Sequence, residues 1–297
     1  MKYYVAYPIS FDCNLRCSYC FHHERFYSNY TQHQGFTIKD YIRFRNTHFV
    51  NAEEILVHFH GGEPFLNTNI NTICTVIRSL KVEKFDLLTN GLQDRSNYER
   101  IIPFRDRIQR IGFTFHRQMI AHVPSLVKQY EDNVMFLHEH GIPVYVKELL
   151  FPDQRDIIKE SKRKWKELGI PFNVQDFKGF DRGKDRKEFK KYDALDILLI
   201  DSEYKKGGGY CTCKKGYKTV LIGGHTLGGK VFACFEDMVI VGDIKKNEFN
   251  PNYRVKTNQK ADSSGSFVEV IGVPKVYYYD KVFREKGVYR PKGCGSD

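Results

Sequence analysis

Three cysteines fall within eight positions near the start of the chain: Cys13, Cys17 and Cys20, spaced Cys-x3-Cys-x2-Cys. Clustered thiolates are soft ligands, and a tetrahedral metal site normally takes four protein groups, so this set is one ligand short. His22 or His23 could complete a Cys3His zinc site, but structural zinc sites usually draw their ligands from two separated knuckles. An iron-sulfur cluster suits three closely spaced thiolates better. Such a cluster leaves one iron open to a substrate or cosubstrate.

The elements that must position this loop are legible as an alternation. The run YYVAYPI ends just before the cysteines and reads as a strand; Thr37 and Asp40 then make a box-like helix start. EILVHFH (54 to 60) is a second strand, short, branched and bounded by Gly61-Gly62. In INTICTVIRSL, Ile70, Ile73, Ile77 and Leu80 share one helical face, and Cys74 belongs to that pattern as a small core residue. FDLLTNG is a third strand, and Ser96-Asn97-Tyr98-Glu99 reads as the capping box of the helix after it. IQRIGFTFH, VYVKELL and PFNVQDF are further strands, separated by helices from about Pro124 to His140 and from 153 to 168, with Gly141 and Gly169 as left-handed stops. Six βα units at most call for a parallel sheet with right-handed crossovers, as an open doubly wound sheet or a partial barrel. Active-site groups in such folds sit at the C-terminal strand ends. Here the first three ends carry CNLRCSYC, GGEP and TNG.

The cysteine triplet with Tyr19 before its last member, followed in order by His60-Gly61-Gly62-Glu63-Pro64 and Leu88-Thr89-Asn90-Gly91, resembles the radical S-adenosylmethionine (SAM) superfamily over roughly residues 1 to 177. The resemblance implies a partial (β/α)6 TIM-type barrel in which Cys13, Cys17 and Cys20 hold a 4Fe-4S cluster. By the same resemblance SAM would chelate the fourth iron and be cleaved to a 5′-deoxyadenosyl radical that abstracts hydrogen from a substrate. Gly61 and Gly62 would let the backbone approach the methionine moiety, Glu63 would accept from its ammonium, and Pro64 would fix the turn. Asn90 would contact the SAM carboxylate or ribose, and Tyr19 would meet the adenine through its backbone. At the fourth strand end many relatives carry a Ser-x-Asp-Gly type sequence. This chain has Thr114-Phe115-His116-Arg117, which makes His116 and Arg117 candidates for binding a substrate carboxylate or phosphate.

After about residue 177 the character changes to a charge-rich stretch, 178 to 192, and then to a glycine-rich segment with two β-like runs. Cys213, Gly216, Gly229 and Cys234, with Val241-Gly242-Asp243-Ile244 after them, resemble the hairpin of SPASM and shorter twitch domains, which hold auxiliary 4Fe-4S clusters. Cys211, Cys213, Cys234 and Cys294 would make four ligands for one such cluster, which favours the twitch type. Alternatively Cys211 stays unligated, as an open iron position or as a catalytic hydrogen-atom donor, or Cys294 is a tail residue. The expected division is a radical SAM core over 1–200 and a small β-hairpin-based twitch domain over 201–297.

The 297-residue chain, with 41% hydrophobic residues and a formal charge of +11, can bury a sizeable core and lacks both a secretory signal and an apolar run long enough to span a membrane. A cytoplasmic location is the expectation, and in that reducing compartment metal or catalytic use is the better reading of the clustered cysteines. The implied activity is oxidoreductase or isomerase chemistry on a peptide or small-molecule substrate, a ribosomally made peptide first, with an external electron donor of flavodoxin or ferredoxin type. The basic charge keeps a nucleotide, a nucleic acid or a phosphorylated small molecule as the second reading. A non-enzymatic zinc-binding protein is the third.

Overall fold

The computed structural model describes residues 1–10, 12–17, 36–150, 154–176, 217–222, 229–232, 240–250, 254–257 and 268–271. The strands and helices alternate as expected: β1 (Lys2–Pro8), α1 (Ile38–His48), β2 (Glu54–His60), α2 (Asn67–Ser79), β3 (Lys84–Thr89), α3 (Arg95–Glu99) and β4 (Ile108–Phe115). Then come the single turn α4 (Arg117–Ile120), α5 (Pro124–Glu139), β5 (Val144–Leu150), α6 (Arg155–Glu167) and β6 (Phe172–Asp176). The later strands are β7 (Tyr217–Ile222), β8 (Lys230–Phe232), β9 (Ile240–Asp243), β10 (Glu248–Phe249), β11 (Arg254–Thr257) and β12 (Val268–Ile271).

The chain divides into two compact units. The first takes Met1–Pro8, Tyr30–His58 and Lys205–Asp297. Its strand order is β10-β9-β8-β7-β1-β2, in which β7 runs parallel to β1 while β7 to β10 form an antiparallel meander. Here the Thr37–Asp40 capping box forms as read, and Tyr3, Phe44, Phe49 and Phe249 pack ring against ring. Arg43 and His48 of α1 hold the turn before β10 by its carbonyls at Lys245 and Asn247.

The second unit, Ile9–Asn29 with Phe59–Tyr204, contains β3-β4-β5-β6 in sequence order, every pair parallel. Side chains alternate between the two faces of such a sheet. Phe113 and Phe115 of β4 pack on Tyr130 of α5, and Tyr130 packs in turn on Trp165 of α6. Registered neighbours across the opposite face are Asp86 with Arg110, then Gly112 with Tyr145, then Thr114 with Lys147 and Asn173. That face is polar, which a plain structural core would not be. Gly112 is required there: a Cβ would run into the Tyr145 ring and Leu88.

Local expectations met the structure unevenly. Ile70, Ile73, Ile77 and Cys74 line the buried face of α2, and Gly141 and Gly169 both adopt positive φ after their helices. The Ser96 capping box does not form. Helix α3 begins at Arg95 with Asp94 as its N-cap and no side-chain cap bond, because the Asp94 carbonyl already accepts the Asn97 N–H and starts the turn two residues earlier. Among the described residues, no helix is long and apolar enough to cross a membrane.

Candidate functional site

Every described residue of the three motifs lies in the second unit. The cysteine loop is clamped at its base onto the GGEP turn: the Gly62 N–H donates to the Ser10 carbonyl at 2.6 Å and the Glu63 N–H to the Asp12 carbonyl at 2.8 Å. Ser10 Oγ donates to Asn69 Oδ1 at 2.8 Å, and Asn69 Nδ2 donates back to the Glu63 carbonyl at 2.7 Å. Gly61 has φ +140, and a Cβ on it would overlap the Ser10 carbonyl oxygen. The glycines therefore admit the base of the cysteine loop itself, and Pro64 is buried in the turn that follows.

Glu63 ties this turn to the end of β3. Its Oε1 accepts from the Phe65 N–H at 2.9 Å and the Thr89 hydroxyl at 2.6 Å, and its Oε2 accepts from the Asn90 N–H at 2.7 Å. Burial pushes its carboxyl up to about 7 against the pull of those three donors. Three of its roughly four acceptor positions are filled by the fold, and one of them holds Asn90. Asn90 then reaches the cysteine loop: Nδ2 donates to Asn14 Oδ1 at 2.7 Å and approaches Cys13 Sγ at 3.7 Å, while Oδ1 accepts from the Leu92 N–H. Gly91, at φ +78, makes the turn after it, against the Tyr130 ring.

Cys13 Sγ also receives the Leu15 N–H at 3.4 Å. The same sulfur also lies 3.9 Å from Asn14 Oδ1, and its two N–H neighbours are the kind of donors that a thiolate ligand accepts. Cys17 is buried, its Sγ 3.7 Å from His116 Nδ1. Burial and the nearby Lys147 charge push His116 down to about 4, so the imidazole is neutral at pH 7. Among the described residues no three metal-ligating side chains converge. Cys20 and Tyr19 lie outside the described residues, as do Cys211, Cys213, Cys234 and Cys294. The donor set at Cys13 and Cys17 fits a thiolate-bound iron-sulfur cluster.

Arg117, expected beside His116 in the same role, turns the other way. The strand ends at Phe115, so strand alternation no longer governs residue 117, which opens α4. Its guanidinium forks onto Glu148 with contacts of 2.9 to 3.1 Å and donates to Ser161 of α6 at 2.8 Å, on the helix-covered face. The opposite face carries Arg110, paired with Asp86, and Lys147, in the middle of β5. The sequence reading passed over it, although a Lys in alternating phase within VYVKELL was the available signal.

A family model described as a 4Fe-4S single cluster domain matches residues 6–95, which span all three motifs. A search of curated proteins returned no match. Among solved structures, native anSMEcpe with bound AdoMet and Cp18Cys peptide is similar at TM-score 0.54 and 17% identity, over 84% of this chain and 80% of that one. Native anSMEcpe with bound AdoMet and Kp18Cys peptide matches at TM-score 0.54 and 17% identity, over 82% of this chain and 78% of that one. Streptococcus suis SuiB bound to S-adenosylmethionine matches at TM-score 0.51 and 17% identity, over 78% of this chain and 60% of that one. The chain thus shares the mixed α/β fold with a parallel sheet of these structures, and its three motifs fall within the stretch matched by the 4Fe-4S single cluster domain.

Proposed function

We propose that the chain is a radical SAM enzyme in which Cys13, Cys17 and Cys20 ligate a 4Fe-4S cluster that binds SAM at its fourth iron, and that its substrate is a ribosomally made peptide. The observation that carries this reading is the convergence of all three motifs in one hydrogen-bond network: Glu63 of GGEP fixes Asn90 of TNG, and Asn90 reaches Cys13. When bound, SAM and the cluster supply hydrogen abstraction by a 5′-deoxyadenosyl radical, chemistry that belongs to the cofactor. Asn90 and the Leu15 N–H would donate to the Cys13 sulfur when it serves as a thiolate ligand, and neutral His116 packs on Cys17 without adding charge. The anSMEcpe structures with peptides support a peptide substrate.

The proposal extends to a core over 1–200 and a twitch-type module over 201–297, with an auxiliary 4Fe-4S cluster on Cys211, Cys213, Cys234 and Cys294. It also includes an external flavodoxin- or ferredoxin-type donor and a reducing, cytoplasmic setting. A nucleotide or phosphorylated substrate is the second reading, favoured by the charge of +11.

Anaerobic reconstitution tests it: about eight iron and eight sulfide per chain are expected, falling to about half in a Cys13/Cys17/Cys20 triple Ala variant that no longer cleaves SAM. Zinc without sulfide, or cleavage retained in the triple variant, refutes it. Deuterated candidate peptides and nucleotides, assayed for deuterium in 5′-deoxyadenosine, separate the two substrate readings.

A further inference from the structure

A ladder of aromatic rings runs through the helix-covered side of the second unit, apart from the motif network but touching it at one end. Tyr98 of α3 lies 6.0 Å from Phe113 of β4, Phe113 lies 5.9 Å from Tyr130 of α5, and Tyr130 lies 6.3 Å from Trp165 of α6, between ring centroids. These are contact distances for aromatic pairs, so the rings form one continuous path. At the inner end Tyr98 Oη is 3.3 Å from Thr89 Oγ1, and the Thr89 hydroxyl donates at 2.6 Å to Glu63, which accepts from the Asn90 N–H in turn. Because Thr89 gives its one proton to Glu63, Tyr98 is the donor in their contact. At the outer end stands Trp165, the only tryptophan of the chain, 4% exposed between the exposed Lys164 and Lys166.

Packing alone does not call for the two hydroxyls. Tyr98 and Tyr130 are fully buried, and a phenol taken out of water carries a desolvation cost that phenylalanine avoids. The fold offsets it at both positions, with Thr89 for Tyr98 and the Phe113 carbonyl, at 2.9 Å, for Tyr130. What phenol and indole have that a phenyl ring lacks is ease of one-electron oxidation. The inner phenol also has a route for its proton. On losing an electron it becomes a strong acid, and its proton passes to Thr89 as the Thr89 proton passes to Glu63. Burial, which raises the Glu63 carboxyl to about 7, makes it the better acceptor. The thiols at the other end of this network are the groups that an oxygen-derived oxidant damages irreversibly once it carries them past the sulfenic acid.

We propose that Tyr98, Tyr130 and Trp165 form a hole-transfer relay that carries a one-electron oxidising equivalent from the cysteine-loop site to the protein surface and so spares the thiolates. The oxidant is of the oxygen-derived class that peroxide generates at iron. It is reduced by one electron from Tyr98, whose proton goes to Glu63 through Thr89. Trp165 then returns an electron to Tyr98 by way of Tyr130, and the proton comes back from Glu63. The Lys164 ammonium, 5.7 Å from the indole centroid, disfavours a second positive charge there, so the indole proton leaves to water with the electron's departure. A thiol in solution restores Trp165 by giving it one electron and one proton and is left as the thiyl radical. The relay goes beyond the function proposed above and rests on it only for iron at the cysteine loop.

Two measurements test it. In full-length protein without iron, Trp165 is excited at the red edge of the indole band, where tyrosine does not absorb, with a cobalt(III) ammine complex to take the ejected electron irreversibly. The indole radical is expected to decay in a first-order step, independent of protein concentration, as a tyrosyl radical grows in. Tyr130→Phe keeps the ring and removes the hydroxyl, and it should slow that step about tenfold or more. Tyr98→Phe should leave the first hop intact and hold the radical at Tyr130, with a changed tyrosyl hyperfine pattern in freeze-quenched samples. In protein reconstituted with iron and sulfide and treated with peroxide, mass spectrometry should find hydroxytryptophan and kynurenine at Trp165. Their yield should fall about fivefold or more in Tyr130→Phe, while sulfonic acid at Cys13 and Cys17 rises there and in Trp165→Phe alike. An indole decay that is second order or unchanged in Tyr130→Phe overturns the relay, as does Trp165 oxidation equal in wild type, Tyr130→Phe and iron-free protein. Iron and sulfide contents report separately on the cluster, and the photochemical measurement needs neither, so either reading can fail alone.

Discussion

Arg117→Met is the perturbation whose size the structure fixes best. Arg117 is 17% exposed and Glu148 2%, and the wild-type pair is satisfied by a fork onto both carboxylate oxygens, completed by Ser161. Replacing the guanidinium with an apolar chain strands a buried carboxylate, a situation that costs about 3–5 kcal/mol. The guanidinium also lies 4.9 Å over the Phe115 ring, whose loss adds about 0.5 kcal/mol. Burial already raises Glu148 above the ordinary carboxylate range, and Arg117 is its largest opposing influence. Without Arg117 that pKa rises further. A raised folded-state pKa contributes stability that is present at low pH and lost as pH rises through it, so the cost of the variant grows from pH 5 to pH 8. Urea unfolding at both pH values reads this directly: with a slope of roughly 2 kcal/mol per molar, a cost of about 4 kcal/mol moves the midpoint by about 2 M. Arg117→Met/Glu148→Met removes both charges and is expected to recover at least about 2 kcal/mol of that cost. Additive costs in the double variant, or a single-variant cost below about 1 kcal/mol, would sink the assignment and free the guanidinium for a ligand.

Gly61→Ala forces a side chain at φ +140 into the Ser10 carbonyl; a cost above about 3 kcal/mol, or roughly 10 °C in thermal midpoint, is expected, and a near-neutral effect contradicts the clamp. Asn90→Ala removes the side-chain donor near Cys13, so reconstituted iron should be lost to a chelator about tenfold or more faster than in wild type, with Asn90→Gln intermediate; equal rates remove Asn90 from the thiolate's surroundings. Lys147 is depressed in the folded state, so its ionisation lowers stability below about pH 8 and that deficit is relieved as pH rises from 8 toward the unfolded value. Relative to wild type, Lys147→Met should therefore be stabilised by up to about 3 kcal/mol at pH 7, the advantage fading above pH 8; a pH-independent difference would contradict the burial of the ammonium.

What the sequence made legible was what local rules determine. The βα alternation, the Thr37–Asp40 box and the glycine stops after α5 and α6 all follow from side-chain period and backbone freedom within a few residues. The order of the three motifs placed them at strand ends, and the described parts of all three do meet there. Arg117 escaped because its direction depends on where β4 stops, a one-residue boundary that no pattern sets. The partners of Glu63 were hidden in a different way: Phe65 lies in its own loop and Thr89 and Asn90 in another, so those bonds are visible only once the two loops have come together. The parallel partner of β1 was equally hidden, since the glycine-rich runs after residue 200 read locally as a hairpin and nothing nearby names a distant strand.

That pairing also sets an order of events at the ribosome. Lys2 is matched with Tyr217, about 215 residues later, so β1 leaves the exit tunnel long before β7 exists. At about 5–20 residues per second the wait is roughly 10–40 s. During that interval one edge of a strand as apolar as YVAY has its backbone groups open to other chains. Nascent chains stalled or truncated before residue 217 should therefore be the aggregation-prone species, and slowing synthesis between β6 and β7 should lower the yield of folded protein more than slowing it after β10.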